Sequence, residues 1–253
     1  MKKISTYIHK FFSNKKIKID PILSLNRGLK NSYSGERCFI LATGPSINKE
    51  NLEILKGENC ITVSNFFVHS KFNSLNPIFH VFAPLHPPIT IEQFESWLSD
   101  ADAKMSNNVK VVLSLSDKLH AEKIFKNKTR HFYLPGGDFP VELEKGIPPF
   151  QTVAHLAIYL AMYCGFEKIY LLGVDHDWLF NFGKGNHFYK ENESKLFEAG
   201  HSEWNGVDLE MEFESHLKLW QIYKKIKSTG IDIVNLNPQS FLDVFPKSSL
   251  KDI

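Results

Sequence analysis

The chain has 253 residues, of which 43% are hydrophobic and 23% are charged. This composition is typical of a globular protein and excludes a disordered chain, a collagen-like chain and a coiled coil. The formal net charge is +2, but residues 1–30 carry eight basic side chains and one acidic side chain, which leaves a net charge of −5 on the rest. A basic segment on an acidic body is not typical of a general nucleic-acid binder, so no nucleic-acid partner is expected.

The N-terminal segment combines these basic side chains with regularly spaced apolar ones. Ile4, Ile8 and Phe11 recur at helical spacing, with lysines on the other face. This pattern predicts a basic amphipathic helix that can lie on an anionic membrane surface. A terminal helix docked on its own domain or on a partner subunit is the alternative. We therefore divide the chain into an N-terminal arm, residues 1–35, and one domain, residues 36–253.

The cysteines and the hydropathy pattern indicate the compartment. Cys38, Cys60 and Cys164 are odd in number and form no C-x-x-C motif, which argues against a disulfide framework or a cysteine zinc site. The sequence contains no apolar run long enough to span a bilayer, and its basic start lacks the apolar stretch of a signal peptide. We predict a cytoplasmic protein that contacts the inner membrane face through residues 1–30.

Short apolar runs alternate with helical patterns along the rest of the chain. The predicted strands are residues 38–42, 60–64, 78–82, 109–113, 131–134, 168–175 and 231–236. The predicted helices are residues 48–56, 91–98, 116–125, 152–164 and 209–228. This alternation predicts a single Rossmann-like α/β domain, with a mostly parallel sheet and helices on both faces. The polar segment 176–205 is too long for a plain connection and is predicted to be a lid.

The first predicted strand runs into Thr43-Gly44-Pro45-Ser46. In open α/β sheets, ligands bind beyond the carboxyl ends of the strands. Gly44 would let the backbone approach a ligand closely, and the following helix could offer free N–H groups to a phosphate. A plain strand-to-helix turn is the alternative, because the segment is neither a G-x-G-x-x-G motif nor a P-loop.

Two further polar residues occupy equivalent places. Asn65 follows the second strand, and its amide can bind a base, a ribose or a carboxylate, although a turn-forming Asn is the common alternative. Thr152 opens the helix 152–164, whose N-terminus can hold an anion or can simply be capped by the threonine.

Acidic and imidazole side chains cluster after the sixth predicted strand. They are Asp175, His176, Asp177, His187 and His201. Such groups can bind a metal or transfer protons, but their spacing matches no standard zinc pattern, so no metal ligand is assigned. Asp175 has a second interpretation as a hydrogen-bond acceptor for loop backbone, and each histidine has one as a structural or solvated residue.

In order and spacing, these segments resemble the bacterial sialyltransferases that decorate lipooligosaccharides and the wider MptE-like group found among surface-polysaccharide genes. The similarity covers about residues 37–246. It is carried by Gly44-Pro45-Ser46, Ser64-Asn65-Phe66-Phe67, the segment from Gly165 to Gly173 and Asp175, Gly200-His201-Ser202, and Asn237-Pro238-Gln239-Ser240.

The resemblance implies transfer of a sialic or related nonulosonic acid from a CMP-activated donor to a glycan or lipid-linked acceptor, with inversion and without a required cofactor. It also implies that His201 is the general base. It implies that the nucleotide is bound at Thr43, Gly44, Ser46, Asn65 and Thr152. The predicted nucleotide site further includes Pro45, Gly173, Asp175, His176 and Asp177.

Departures from the family pattern keep two alternatives open. Thr43 stands where the family has Asn, and His176-Asp177 replace a Phe-Tyr pair whose Tyr holds the departing phosphate. One alternative is a pterin diphosphokinase-like enzyme that uses ATP and Mg²⁺, with Asp175 and Asp177 as metal ligands. The other is a non-catalytic nucleotide-binding subunit of a polysaccharide-assembly complex. The oligomeric state, including a homo-oligomer, also stays open.

Overall fold

The computed structural model describes residues 20–178, 187–189 and 209–253. Within them, seven strands form one sheet in the order β5-β4-β3-β2-β1-β6-β7, and every neighbouring pair is parallel. The strands are β1 Arg37–Leu41, β2 Asn59–Val63, β3 Phe79–Val81, β4 Lys110–Ser114, β5 Arg130–Tyr133, β6 Lys168–Leu172 and β7 Asp232–Asn235. The predicted Rossmann-like α/β fold is confirmed, with a sheet that is parallel throughout these residues.

The strand order changes direction between β1 and β6. From β1 the chain adds β2 to β5 on one side, and β6 then returns to pair with the other edge of β1. Such a reversal opens a crevice at the carboxyl ends of the two strands, where ligands of open α/β sheets bind.

Helices cover both faces of the sheet, as predicted. They are α1 Phe72–Leu75, α2 Ile91–Lys104, α3 Lys118–Ile124, α4 Val153–Cys164 and α5 Leu209–Lys227. Side chains alternate between the faces of β1: Ile40 packs in the core with α4 and α5, whereas Phe39 and Leu41 pack in the core with α2.

The central helix α4 forms where the sequence predicts it. The Thr152 side chain caps its N-terminus, and Gly165 ends it with a φ of 85°, a left-handed conformation that glycine adopts without strain. Nearly all of its side chains are buried, as expected for a helix that is apolar on every side.

Several predicted boundaries are wrong. The helix expected over 48–56 is two 3₁₀ turns, Pro45–Lys49 and Leu52–Leu55, because Glu50 is extended and the Asn51 side chain caps a new turn. The strand predicted over 168–175 ends at Leu172, since Gly173 has a φ of 66°.

Two predicted helices also have different extents. The helix predicted over 91–98 continues to Lys104. The helix predicted over 116–125 opens with the 3₁₀ turn Leu115–Asp117, and its α-helical part is α3.

The described part of the predicted arm packs against the domain. Residues Pro21–Leu29 form a 3₁₀ helix that buries Leu23, Asn26 and Leu29. The Asn26 amide donates to the carbonyls of Phe132 and Leu143, which fixes this helix beside β5. Residues 1–19, which include the amphipathic pattern, lie outside the described residues, and the division at residue 35 stays a prediction. In the described residues, no helix has the length and apolar character needed to cross a membrane.

Candidate functional site

A cavity of about 340 Å³ opens beyond the carboxyl ends of the strands, and we call it the first cavity. Thr43 and Gly44 reach it from β1, Asn65 from β2, and His176 from β6. The N-terminus of α4, including Thr152, forms another wall. The structure therefore brings together most residues of the predicted nucleotide site, in a cavity of the size that small ligands occupy.

Backbone contact joins the loops that follow β1 and β6. The Gly44 N–H donates to the Gly173 carbonyl at 2.9 Å. A Cβ on Gly44 would lie 2.5 Å from that oxygen and 2.6 Å from Asp175 Oδ2, so no side chain fits there. The close approach that the structure shows at Gly44 is to the β6 loop of the same chain, and the predicted approach to a ligand stays a prediction.

The Asp175 carboxylate fixes the same junction. Its Oδ2 accepts the Ser46 N–H at 2.8 Å, and its Oδ1 accepts the Ser46 hydroxyl and the Asn237 amide, the latter at 2.8 Å. Asp175 is buried. Its oxygens therefore hold three segments of the chain together, which matches the interpretation as an acceptor for loop groups.

A buried histidine supports the loop after β2. Thr62 Oγ1 lies 2.8 Å from His80 Nδ1, and His80 Nε2 donates to the Ser64 carbonyl at 2.9 Å. Ser64 has a φ of 52°, so this contact stabilises a backbone conformation that serine rarely adopts. Burial lowers the pKa of His80 to about 3, and the ring therefore stays neutral.

Asn65, the next residue, is held through both ends of its amide. The Trp97 indole N–H on α2 donates to Asn65 Oδ1 at 2.5 Å. Asn65 Nδ2 donates to the Tyr189 hydroxyl at 2.9 Å. Asn65 is buried and these two hydrogen bonds fix the orientation of its amide, so its role is not limited to forming a turn.

Three described residues of the predicted lid lie across the ends of β1 and β2. His187 Nδ1 is 3.0 Å from Thr43 Oγ1, and the Phe188 N–H donates to the Thr43 carbonyl at 2.8 Å. The rings of His187 and Tyr189 stack with centroids 4.9 Å apart. Residues 187–189 therefore cover the polar groups of Thr43 and Asn65.

The remaining predicted residues lie elsewhere. Pro45, Ser46 and Asp177 line a second cavity of about 540 Å³, and Asp175 forms part of the wall of both cavities. The structure thus divides the predicted nucleotide residues between two sides of the Asp175–Ser46 contact. His201, the predicted general base, lies outside the described residues, as do residues 179–186 and 190–208.

The described residues do not build a metal site from protein side chains alone. Among residues 20–178, 187–189 and 209–253, no group of three or more His, Cys, Asp or Glu side chains is placed to bind a metal ion. The Asp175 oxygens already accept hydrogen bonds from Ser46 and Asn237. In nucleotide sites, Mg²⁺ is usually bound by one or two carboxylates together with the substrate phosphates, so Asp175 could serve as a ligand only by releasing these partners.

Comparison with known proteins identifies the relatives. The model of the 6-hydroxymethylpterin diphosphokinase MptE-like family matches residues 5–180. The chain belongs to the MptE-like family. The match extends from the predicted arm to the loop after β6 and so includes the predicted nucleotide residues of both cavities. A search of the curated proteins finds no match.

Solved structures similar to this MptE-like chain include sialyltransferases. One is the sialyltransferase CstII from Campylobacter jejuni in complex with a substrate analogue, cytidine-5′-monophosphate, with a TM-score of 0.53 and 14% identity. Another is the sialyltransferase CST-II in complex with a trisaccharide acceptor and CMP, with a TM-score of 0.50 and 13% identity. Each match covers 85% of this chain and 86% of the other chain. At this identity the similarity shows a shared glycosyltransferase-like fold.

Sequence reasoning missed three residues that shape the site of this MptE-like protein. His80 and Trp97 set the conformation around Asn65, and Tyr223 on α5 contacts His176. The sequence indicates the role of these residues only weakly. His80 is a polar residue within an apolar strand pattern, and Trp97 and Tyr223 follow ordinary helical periodicity.

Proposed function

We propose that the protein is a glycosyltransferase that transfers a sialic or related nonulosonic acid from a CMP-activated donor to a surface-glycan acceptor. One observation carries this proposal: a hydroxyl, an amide and a helix N-terminus converge in one cavity at the strand-order reversal. These groups suit a ribose, a base and a phosphate, respectively. Relatives of this fold that bind CMP support the choice of nucleotide.

In this proposal the nucleotide occupies the first cavity. Thr43, Gly44, Asn65 and Thr152 contact it, and the positive end of the α4 dipole faces its phosphate. Gly173, Asp175, Pro45 and Ser46 shape the cavity by fixing the β1 and β6 loops against each other. Because residues 187–189 are bonded to Thr43 and Asn65, a nucleotide that uses these groups must exchange with His187 and Tyr189.

The proposed reaction is an inverting displacement. The acceptor hydroxyl oxygen forms a bond to the anomeric carbon, the bond from that carbon to the phosphate oxygen breaks, and CMP leaves. The proton of the hydroxyl passes to His201, which has the general-base role by its Gly-His-Ser resemblance, because a neutral imidazole accepts a proton near pH 7. The α4 N-terminus stabilises the charge that develops on the leaving phosphate. No step requires a cofactor.

The family match supports a second candidate, transfer of diphosphate from ATP to a pterin-like acceptor. Such enzymes use Mg²⁺ to neutralise the phosphates. We rank this candidate second because Asp175 already accepts hydrogen bonds from Ser46 and Asn237, and Asp177 lines the second cavity and not the first. A non-catalytic nucleotide-binding subunit is the third candidate.

A panel of nucleotides distinguishes these candidates. The protein is heated with CMP, CDP, UDP, GDP or ATP, each with and without Mg²⁺, and the unfolding temperature is recorded. We expect stabilisation by CMP that is independent of metal, that is weakened in Asn65→Ala and that is unchanged in Lys126→Gln, an exposed substitution outside the cavity. Stabilisation only by ATP with Mg²⁺ would favour the diphosphokinase, and no response to any nucleotide would contradict both enzymes.

The catalytic step has a separate assay. Release of CMP from a CMP-activated sialic acid is measured with purified protein, with and without a panel of oligosaccharide acceptors. We expect His201→Ala to abolish transfer and to bind CMP as the wild type does. Wild-type turnover in this variant would remove His201 from the mechanism.

We also propose that residues 1–30 bring the enzyme to the inner membrane face, where lipid-linked acceptors are found. The charge of this segment and its amphipathic pattern support the proposal. Sedimentation with anionic vesicles should recover the full chain, and less of a chain that lacks residues 1–19. Equal recovery of both chains would contradict membrane attachment by the arm.

A further inference from the structure

His176 has an unusual backbone for a buried side chain. Its φ is 50°, in the left-handed region, and only 5% of the residue is exposed. The neighbouring Asp175 is fixed on both sides, because its carboxylate binds Ser46 and its carbonyl accepts the Phe241 N–H. These contacts of Asp175 hold the backbone of His176 in its strained conformation. Strained backbone conformations are concentrated at functional sites.

The imidazole of His176 is oriented by α5. His176 Nε2 lies 2.7 Å from the hydroxyl of Tyr223, which is fully buried. The ring centroids of Trp178 and Trp220 lie 5.6 and 5.9 Å from that of the imidazole. His176 also lines the first cavity together with the N-terminus of α4. Its second ring nitrogen, Nδ1, has no hydrogen-bond partner among the residues that the structure describes.

The contact with Tyr223 determines which nitrogen carries the proton. Burial lowers the pKa of His176 to about 3 and raises the pKa of Tyr223 well above its usual value, so both groups are neutral and the imidazole has one N–H. If Nε2 donated to the phenol oxygen, the buried Tyr223 proton would have no acceptor in the described part of the chain. A buried donor without an acceptor is costly, so Tyr223 donates to Nε2 and the proton of the imidazole resides on Nδ1.

We propose that His176 Nδ1–H is a neutral hydrogen-bond donor to the phosphate of a nucleotide in the first cavity, and that Tyr223 is the positioning residue that fixes this tautomer. The inference rests on the proposed function only in requiring that the ligand is a nucleotide. A neutral donor complements the helix N-terminus beside it, since both bind a phosphate oxygen through N–H groups without a buried cation.

Calorimetric binding of CMP and of cytidine tests the phosphate contact. We expect His176→Phe to weaken CMP binding about tenfold and to change cytidine binding less than about twofold, because only CMP carries the phosphate. Tyr223→Phe should weaken CMP binding selectively but less strongly. Tyr163→Phe is the matched control, since it removes a hydroxyl that donates to Glu144 at the other end of α4. Equal losses for CMP and cytidine in His176→Phe would overturn the inference.

The tautomer is measured independently of any ligand, from the ¹⁵N chemical shifts of His176 in the wild-type protein. We expect a protonated Nδ1 and an unprotonated Nε2, and a mixture of tautomers in Tyr223→Phe. A protonated Nε2 in the wild type would overturn the inference. If ATP binds in place of CMP, the proposed function fails, but the ATP and adenosine pair tests the phosphate contact in the same way. If no nucleotide binds, the inference fails together with the proposed function.

Discussion

The two halves of the first cavity are built by different means. In the β1–β6 half, Gly44 and Gly173 bring two backbones into contact, and Asp175 bonds the adjoining loop. In the β2–β3 half, His80 donates a hydrogen bond to the Ser64 carbonyl, and Trp97 donates one to the Asn65 side chain. The first half therefore depends on the absence of side-chain volume at two glycines and on one carboxylate acceptor, whereas the second depends on side-chain hydrogen-bond donors. We expect substitutions to affect the two halves to different extents.

The largest effect is expected for Gly44→Ala. The new Cβ would lie 2.5 Å from the Gly173 carbonyl oxygen, so the β1 and β6 loops must separate. We expect a loss of at least about 3 kcal/mol in the free energy of unfolding, measured by urea denaturation, together with loss of nucleotide binding. Gly28→Ala is the control, because a Cβ on Gly28 meets nothing within 4 Å. Equal stability of the two variants would show that the junction is not a close contact.

Asp175→Asn tests the carboxylate of the same half. The amide keeps one acceptor oxygen, and its NH₂ group would face a donor from Ser46 or Asn237. We expect a loss of about 2 kcal/mol in the free energy of unfolding. Asp232→Asn is the matched control, because Asp232 pairs with Lys168 at the surface, where an ion pair contributes less than about 1 kcal/mol. A loss in Asp175→Asn no larger than in this control would contradict the role we assign to Asp175.

The β2–β3 half is expected to weaken at low pH, because His80 supports Ser64 as a neutral ring. The folded pKa of His80 is about 3, whereas a histidine in the unfolded chain titrates near 6.5. Below the unfolded pKa, the unfolded state binds a proton that the folded state does not, so stability is complete above about pH 6.5 and falls as the pH decreases. His80 accounts for a loss of about 1.4 kcal/mol between pH 7.5 and 5.5.

Urea denaturation at both pH values measures this contribution. The free energy of unfolding of His80→Gln should fall less between pH 7.5 and 5.5 than that of the wild type, by about 1.4 kcal/mol. Leu75→Ala is the control, since it removes buried volume from α1 without removing a titrating group. An identical pH dependence in His80→Gln and the wild type would show that His80 is not held neutral by the fold.

The two halves also differ in how far the sequence predicts them. The β1–β6 half is encoded locally: an apolar run followed by Gly44-Pro45-Ser46, and another that ends with Gly173 and Asp175, place both segments at strand ends. The alternation of strands and helices along the chain then predicts a parallel sheet. In such a sheet the carboxyl ends of both strands lie at the same edge.

The supports of the β2–β3 half are not encoded locally. Trp97 lies 32 residues from Asn65, and its position on α2 fits a plain core pattern. Its hydrogen bond depends on how α2 packs on the sheet, which periodicity does not specify. The contact between His176 and Tyr223 spans 47 residues and depends in the same way on the packing of α5.

The smallest effect concerns the donor that holds Asn65. Trp97→Phe keeps an aromatic ring beside Phe82 and Phe94 but removes the indole N–H that bonds Asn65 Oδ1. We expect a loss of about 1 kcal/mol from the missing hydrogen bond, and a further loss from the smaller ring. A double-mutant cycle with Asn65→Ala separates the loss from the hydrogen bond from the loss due to the smaller ring. The change in ring volume is common to both backgrounds, whereas the hydrogen bond exists only when Asn65 is present. The cost of Trp97→Phe should therefore be about 1 kcal/mol smaller in the Asn65→Ala background. An equal cost in both backgrounds would mean that Trp97 acts only by filling space, and that Asn65 is positioned from the β2 loop alone.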